Sequence, residues 1–119
     1  MHELSICQDL LDQVLRIAAE RSAPAVTRVT LRVGPLSGVE PELLQLAFPL
    51  ARAGTLAEQA ELVIESLPLR VRCDTCGAET DAAPNRLVCG ACGDWHTRLA
   101  SGDELMLVSV DLIEDERKE

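Results

Sequence analysis

Aromatic side chains are nearly missing from this chain, which has one Trp, one Phe and no Tyr in 119 residues. Its core must therefore be assembled from Leu, Val, Ile and Ala. Hydrophobic residues still make up 47% of the chain, enough for a globular domain and too many for a disordered acidic tail. Long apolar runs are also missing: none approaches the ~20 residues a membrane helix needs. The N-terminus lacks the basic patch and unbroken apolar stretch of a secretory signal. The expectation is a cytoplasmic protein with no membrane attachment. Basic residues are scarce, 11 Lys and Arg against 20 Asp and Glu, for a net charge of −9. That balance argues against nucleic acid as a partner, since phosphate binding needs a basic footprint. Histidines number only two, no Ser/His/Asp or Cys/His nucleophile set stands out, and no phosphate-cradling G-x-x-x-x-G-K-[ST] loop occurs. A catalyst is not expected, and a partner would have to supply any nucleotide site.

Cysteine is what the chain does have. Cys73, Cys76, Cys89 and Cys92 read C-x2-C-x12-C-x2-C, each pair followed by a glycine, Gly77 and Gly93. A glycine there permits positive φ and lets backbone N–H groups aim at the sulfurs. Two such turns face to face present four thiolates to a tetrahedral ion, the arrangement of a structural zinc site. Two disulfides, a rubredoxin-like iron centre and a redox-active pair are alternatives. The first is disfavoured by the expected compartment, the second uses the same ligand set, and the third lacks a surrounding βαβ pattern. Between Leu69 and Ala100 the acids Asp74, Glu79, Asp81 and Asp94 balance Arg70, Arg72, Arg86 and Arg98. The acidic excess thus lies outside this segment, which marks it as a separate module. Cys7 differs from the other four: with Leu4, Leu11, Val14 and Ala18 it makes one helical stripe and reads as core.

The rest of the chain predicts a helix over Leu4–Arg21, broken by Ser22–Pro24. "VTRVTLRV" alternates, with Thr27, Val29, Leu31 and Val33 on one face and Arg28, Thr30 and Arg32 on the other, which predicts a half-buried strand. A loop through Gly34 and Gly38 leads to a second helix opened by Pro41. Pro49 is expected to kink or end that helix. "AELVIESLPLRVRC" reads as one strand running into the cysteine module, and "DELMLVSVDLIE" as a longer one after it. The fold class expected is α+β, a three-stranded sheet covered by two helices with an inserted four-cysteine zinc-ribbon-like module. The domain division is 1–69 plus 101–119, interrupted by 70–100.

The chain opens "MHELSI". One reading is a solvated helix start with an acid suited to the dipole. The other is a metal-binding end. The terminal amine of Met1, the amide nitrogen and imidazole of His2, and a donor from Glu3 can close adjacent chelate rings on one ion, and nickel(II) accepts such nitrogen and oxygen sets.

"MHELSI", "GPLSGVEPELLQLAF", the paired C-x-x-C turns and "SGDELMLVSVDL" together resemble the hydrogenase nickel-insertion accessory proteins, the HypA/HybF family. The resemblance runs over essentially the whole chain, in order and without long insertions. It implies a nickel metallochaperone, with a structural zinc module beside a nickel-binding domain. Such a protein helps deliver Ni(II) to the [NiFe]-hydrogenase large subunit together with a nickel-associated GTPase. Carried over residue by residue, it implies nickel at Met1, His2 and Glu3, and zinc at Cys73, Cys76, Cys89 and Cys92. Glu40 matches a position where some relatives carry an aspartate near the nickel; here the side chain is one methylene longer. The role of His96, beside the second cysteine turn, stays open, as does a homodimer. The competing reading is a zinc-ribbon adaptor for other proteins without nickel transfer, which metal titration separates.

Overall fold

The computed structural model describes residues 2–114. Its elements are α1 (His2–Glu20), β1 (Ala25–Val33), α2 (Pro41–Arg52), β2 (Glu61–Ser66), β3 (Arg70–Cys73), β4 (Glu79–Asp81), β5 (Thr97–Ser101) and β6 (Leu105–Ile113). They form two three-stranded sheets, ordered β2-β1-β6 and β4-β3-β5. The chain divides into two compact units. Of the described residues, one holds 2–31, 40–64 and 107–114; the other holds Arg32–Val39 and Glu65–Met106.

In the first unit α1 buries Cys7, Leu10, Leu11, Val14 and Ala18, the three- and four-residue spacing of one helical face. The Cys7 thiol lies 3.7 Å from the Leu44 carbonyl of α2. α2 in turn buries Leu44, Ala47 and Phe48. Together with Val26, Val29, Leu31 and Leu62 these side chains make a core with a single ring. On the opposite face of β1, Arg28 pairs with Glu61 at 3.0 Å and with Asp111 at 3.4 Å. All three are well exposed, so the pairs add little stability. Thr30, expected among the exposed residues, is buried, because β1 is the central strand and is flanked on both sides.

Helical pairing runs through Pro49 to Arg52, so the expected early end of α2 is not seen. The one bond that Pro49 cannot donate falls in the last turn, where little helix follows to be lost, and the adjacent Phe48 is anchored in the core. The single strand expected from Ala60 to Cys73 is two strands in two sheets. Pro68 has no N–H for a ladder. The Leu67 amide makes a last bond to the Val33 carbonyl at 3.0 Å, and β3 then pairs with β4 and β5.

In the second unit β3 matches β4 through Arg70↔Asp81, Val71↔Thr80 and Arg72↔Glu79, and matches β5 through Arg72↔Arg98 and Cys73↔Thr97. The Gly34 amide donates to the Glu104 carbonyl at 2.8 Å, and the Leu36 amide to the Gly102 carbonyl at 2.7 Å. The two backbones approach so closely that a Cβ on Gly34 would stand 2.1 Å from the Gly102 oxygen. Gly34→Ala should therefore cost about 1–3 kcal/mol, as overpacking does, read as a shift of the urea midpoint. Gly38, which has φ +79 and open space around it, serves as the control: Gly38→Ala should lose only the ~1 kcal/mol of a left-handed alanine. Equal losses at the two positions would contradict the close crossing.

Candidate metal centre

β3 ends on Cys73, and the chain turns at once through Asp74, Thr75, Cys76 and Gly77. The amides of Thr75 and Cys76 donate to Cys73 Sγ at 3.3 and 3.4 Å. The second turn repeats this arrangement, with Ala91 and Cys92 donating to Cys89 Sγ at 3.3 and 3.4 Å. Gly77 and Gly93 have φ of 78° and 77°, the left-handed region expected of them. Their own amides close the turns on the Cys73 and Cys89 carbonyls, at 3.0 and 2.9 Å. The glycines thus set the turn, while the residues before them supply the donors to sulfur.

The two turns bring Cys73 to 3.6 Å from Cys92 and Cys76 to 3.6 Å from Cys89, with all four sulfurs within 4.8 Å of one another. Zinc held at 2.3 Å by four thiolates sets its sulfurs about 3.8 Å apart. A disulfide needs about 2.05 Å, and all five cysteines are free. The donor set therefore fits a tetrahedral, thiolate-preferring ion such as zinc. Cys73, Cys76, Cys89 and Cys92 would hold it as a structural tie between the turns.

Electrostatics point the same way. Amide donation, first from Cys92 and then from Ala91, lowers the Cys89 thiol to about 6. Cys73 is lowered likewise, foremost by the Cys76 amide. The Asp94 amide favours the Cys92 thiolate, but hydrogen bonding to Cys73 and burial outweigh it and push that thiol up to about 12. Four sulfurs this close cannot all be anionic unless a cation lies among them.

A polar link joins the turns, and nothing in the sequence pattern signalled it. The Thr75 hydroxyl donates to Asp94 Oδ2 at 2.5 Å, and the other carboxylate oxygen lies 2.6 Å from His96 Nδ1 and accepts the His96 amide at 3.0 Å. The Asp74 amide returns to the His96 carbonyl at 2.8 Å. Thr75, with the His96 amide and ring, holds the Asp94 carboxyl well below the usual carboxylate range. His96 stacks on the exposed Trp95 with ring centroids 3.8 Å apart. Its ring thus faces Asp94 and Trp95, and it is not a member of the sulfur cluster.

The other predicted site residues that are described, His2, Glu3 and Glu40, lie in the first unit. Met1, whose amine was singled out, is outside the described residues. His2 opens α1 with its side chain 65% exposed, and its Nδ1 is 3.5 Å from Glu3 Oε2. The Glu3 side chain is only 16% exposed. Partial burial raises its pKa, but its own amide, His2 and the amide of Glu40 together bring it below the ordinary value. Glu40 is the N-cap of α2 and makes no capping bond with its side chain. The backbone at the start of α2 thus favours the ionised form of Glu3, as the positive end of a helix does. Among the described residues the four cysteines come together as a ligand set; His2, Glu3 and Glu40 are not brought together in such a set.

No helix of the described chain is long and apolar enough to cross a membrane. The family model described as "Hydrogenase/urease nickel incorporation, metallochaperone, hypA" matches residues 1–112. The hydrogenase maturation factor HypA of Nitrosospira multiformis is 51% identical over 113 residues, covering 95% of this chain and 98% of its own. The factor of the same name from Aquifex aeolicus is 42% identical, covering 94% and 97%. The solution structure of the Ni metallochaperone HypA from Helicobacter pylori shares the fold, with a TM-score of 0.68 at 23% identity over 95% of this chain and 98% of that one. A second solution structure, of a HypA protein, superposes with a TM-score of 0.73 at 25% identity over 97% and 98%. With the match spanning nearly every residue and the four-cysteine cluster in place, the chain belongs to the HypA family, the nickel metallochaperones of hydrogenase maturation.

Proposed function

We propose that this protein binds Ni(II) at its N-terminus and helps deliver it to the [NiFe]-hydrogenase large subunit, in the cytoplasm, without catalysing a reaction itself. Met1 supplies the terminal amine, His2 its amide nitrogen and imidazole, and Glu3 a further donor, with Glu40 an additional candidate carboxylate. Zinc sits in Cys73, Cys76, Cys89 and Cys92 as a structural ion. The nickel-binding domain is 1–69 plus 101–119, and 70–100 is the zinc module. A nickel-associated GTPase is the partner that supplies the nucleotide site.

One observation carries the reading: His2 Nδ1 lies 3.5 Å from the largely buried Glu3 carboxylate, while the His2 imidazole itself stands in solvent. His2 is also the first residue of α1, so its amide has no intrahelical acceptor and can lose its proton to a metal without breaking a helix bond. An exposed site on a chain end should exchange its ion quickly, which suits a carrier.

Elemental analysis of untagged protein tests this. One zinc per chain is expected as isolated, and one zinc plus one nickel after adding an equivalent of Ni(II) and removing the excess. Zinc with no retained nickel would favour the adaptor reading. Iron and visible colour would favour a redox centre.

A further inference from the structure

The outer face of α2 carries more exposed apolar surface than its own fold uses. Leu43, Leu46 and Leu50 are 40%, 72% and 66% exposed, and they follow the three- and four-residue spacing of one stripe. With Glu3 and Leu4 of α1 and with Ala47 they line a groove of about 210 Å³. Single exposed leucines need no explanation; a grooved stripe of them marks a contact surface. This stripe begins at the chain end assigned to nickel.

Charge says what kind of partner fits. Glu3 lines the groove, while Glu40 and Glu42 stand at the start of α2, with Glu42 one turn before Leu46. Residues 2–15 and 40–51 contain no Lys or Arg. The one base of α2, Arg52, is committed to the Ala60 carbonyl at 2.5 Å and to the face of Phe48. The surface is therefore apolar with an acidic end.

A second copy fits poorly, since it would bring the same acidic surface against itself. α2 has 12 residues and is about 18 Å long. A strip that long and about 10 Å wide offers roughly a quarter of the ~800 Å² per partner that a stable interface buries. Weak, transient contacts occupy the low end of that range, as a hand-off requires.

We propose that this groove docks an amphipathic helix bearing basic residues, presented by the protein with which nickel is exchanged. Its apolar face covers Leu43, Leu46 and Leu50, and its cation lies by Glu42; because Glu3 also lines the groove, the partner is set beside His2. The identity of that partner rests on the metallochaperone reading; the groove does not.

The test uses the full-length protein, the purified nickel-associated GTPase as probe, and the double variant Leu46→Ser with Leu50→Ser. Both leucines are largely exposed, so the variant should fold and bind nickel and zinc as before. Isothermal titration should show GTPase affinity falling at least about 10-fold, as when interface anchors are lost. Glu42→Gln should flatten the salt dependence of binding. In 15N spectra of the wild type, the GTPase should shift the amides of residues 3–4 and 43–50. Undiminished affinity in the double variant, amide shifts confined to other surfaces, or no binding by the wild type would overturn the proposal. So would wild-type self-association that the two substitutions abolish, because the groove would then hold a second copy. Lost GTPase binding in a protein that never held nickel would leave the docking site standing and remove the nickel reading instead.

Discussion

Cys73→Ala is expected to release the metal and unfold residues 70–100, while the unit built on α1 and α2 stays folded. Between residues 65 and 106 the buried apolar side chains are Leu69, Val71, Cys73 and Cys89, two of them members of the sulfur cluster. The strands are short, three residues in β4 and five in β5, and the exposed Arg70, Arg72 and Arg98 pairs contribute little. Ordering such a segment costs about 1–2 kcal/mol per residue in backbone entropy. A structural zinc contributes about 10–16 kcal/mol, as much as the whole net stability of an ordinary domain. No other interaction in the module approaches that figure. Cys92→Ala should behave alike, since it removes one corner of the same tetrahedron. Chemical-shift dispersion resolved by residue, with zinc measured on the same sample, checks both. A module that kept its dispersion after complete zinc removal would disprove the structural assignment. Loss of α1 and α2 along with the module would disprove the independence of the first unit, whose core contains no sulfur from the cluster.

The second large effect is expected at His2. His2→Ala should abolish nickel binding or weaken it severely and leave zinc in place, because imidazole is the one strong side-chain donor at that end. Glu40→Ala should do less, since the Glu40 side chain makes no capping bond at the start of α2. A residue placed ahead of Met1 converts the amine to an amide and displaces the chelate rings. Such a protein should fold and keep zinc yet bind nickel much more weakly. Metal ligands must lose their protons to bind, so nickel affinity should fall as acid competes for the same donors. Glu3 adds a separate effect. Its pKa is lowered in the folded protein, so its ionised contacts are present at neutral pH and disappear only as pH falls through that lowered value. Acidification should therefore weaken nickel binding and, below that value, loosen the start of α1. Titration calorimetry from neutral to acid pH, with 15N spectra in parallel, reads the two effects. If His2→Ala bound nickel as tightly as the wild type, the site would have to move away from the N-terminus.

The residues whose roles were legible in the sequence are those whose chemistry is local. The spacing of Cys73, Cys76, Cys89 and Cys92 brought the sulfurs together as expected, because a two-residue gap closed by glycine has few turns to adopt. The stripe of α1 was legible for the same kind of reason, since helical periodicity places Cys7, Val14 and Ala18 on one face whatever they pack against. What lay beyond reach depended on partners distant in the chain. Splitting one apparent strand into β2 and β3 required Pro68 and also two new neighbours, β4 and β5, too short to show a period. Pro49 reads locally as a helix breaker, yet the helix continues, because burial of Leu44, Ala47 and Phe48 outweighs one missing bond. The Thr75–Asp94–His96 link spans 19 residues and then two, and the groove beside Glu3 joins the start of α1 to Leu43, Leu46 and Leu50 of α2. Such contacts form only after the fold has brought the segments together, and their geometry is set by tertiary packing, which no local pattern encodes.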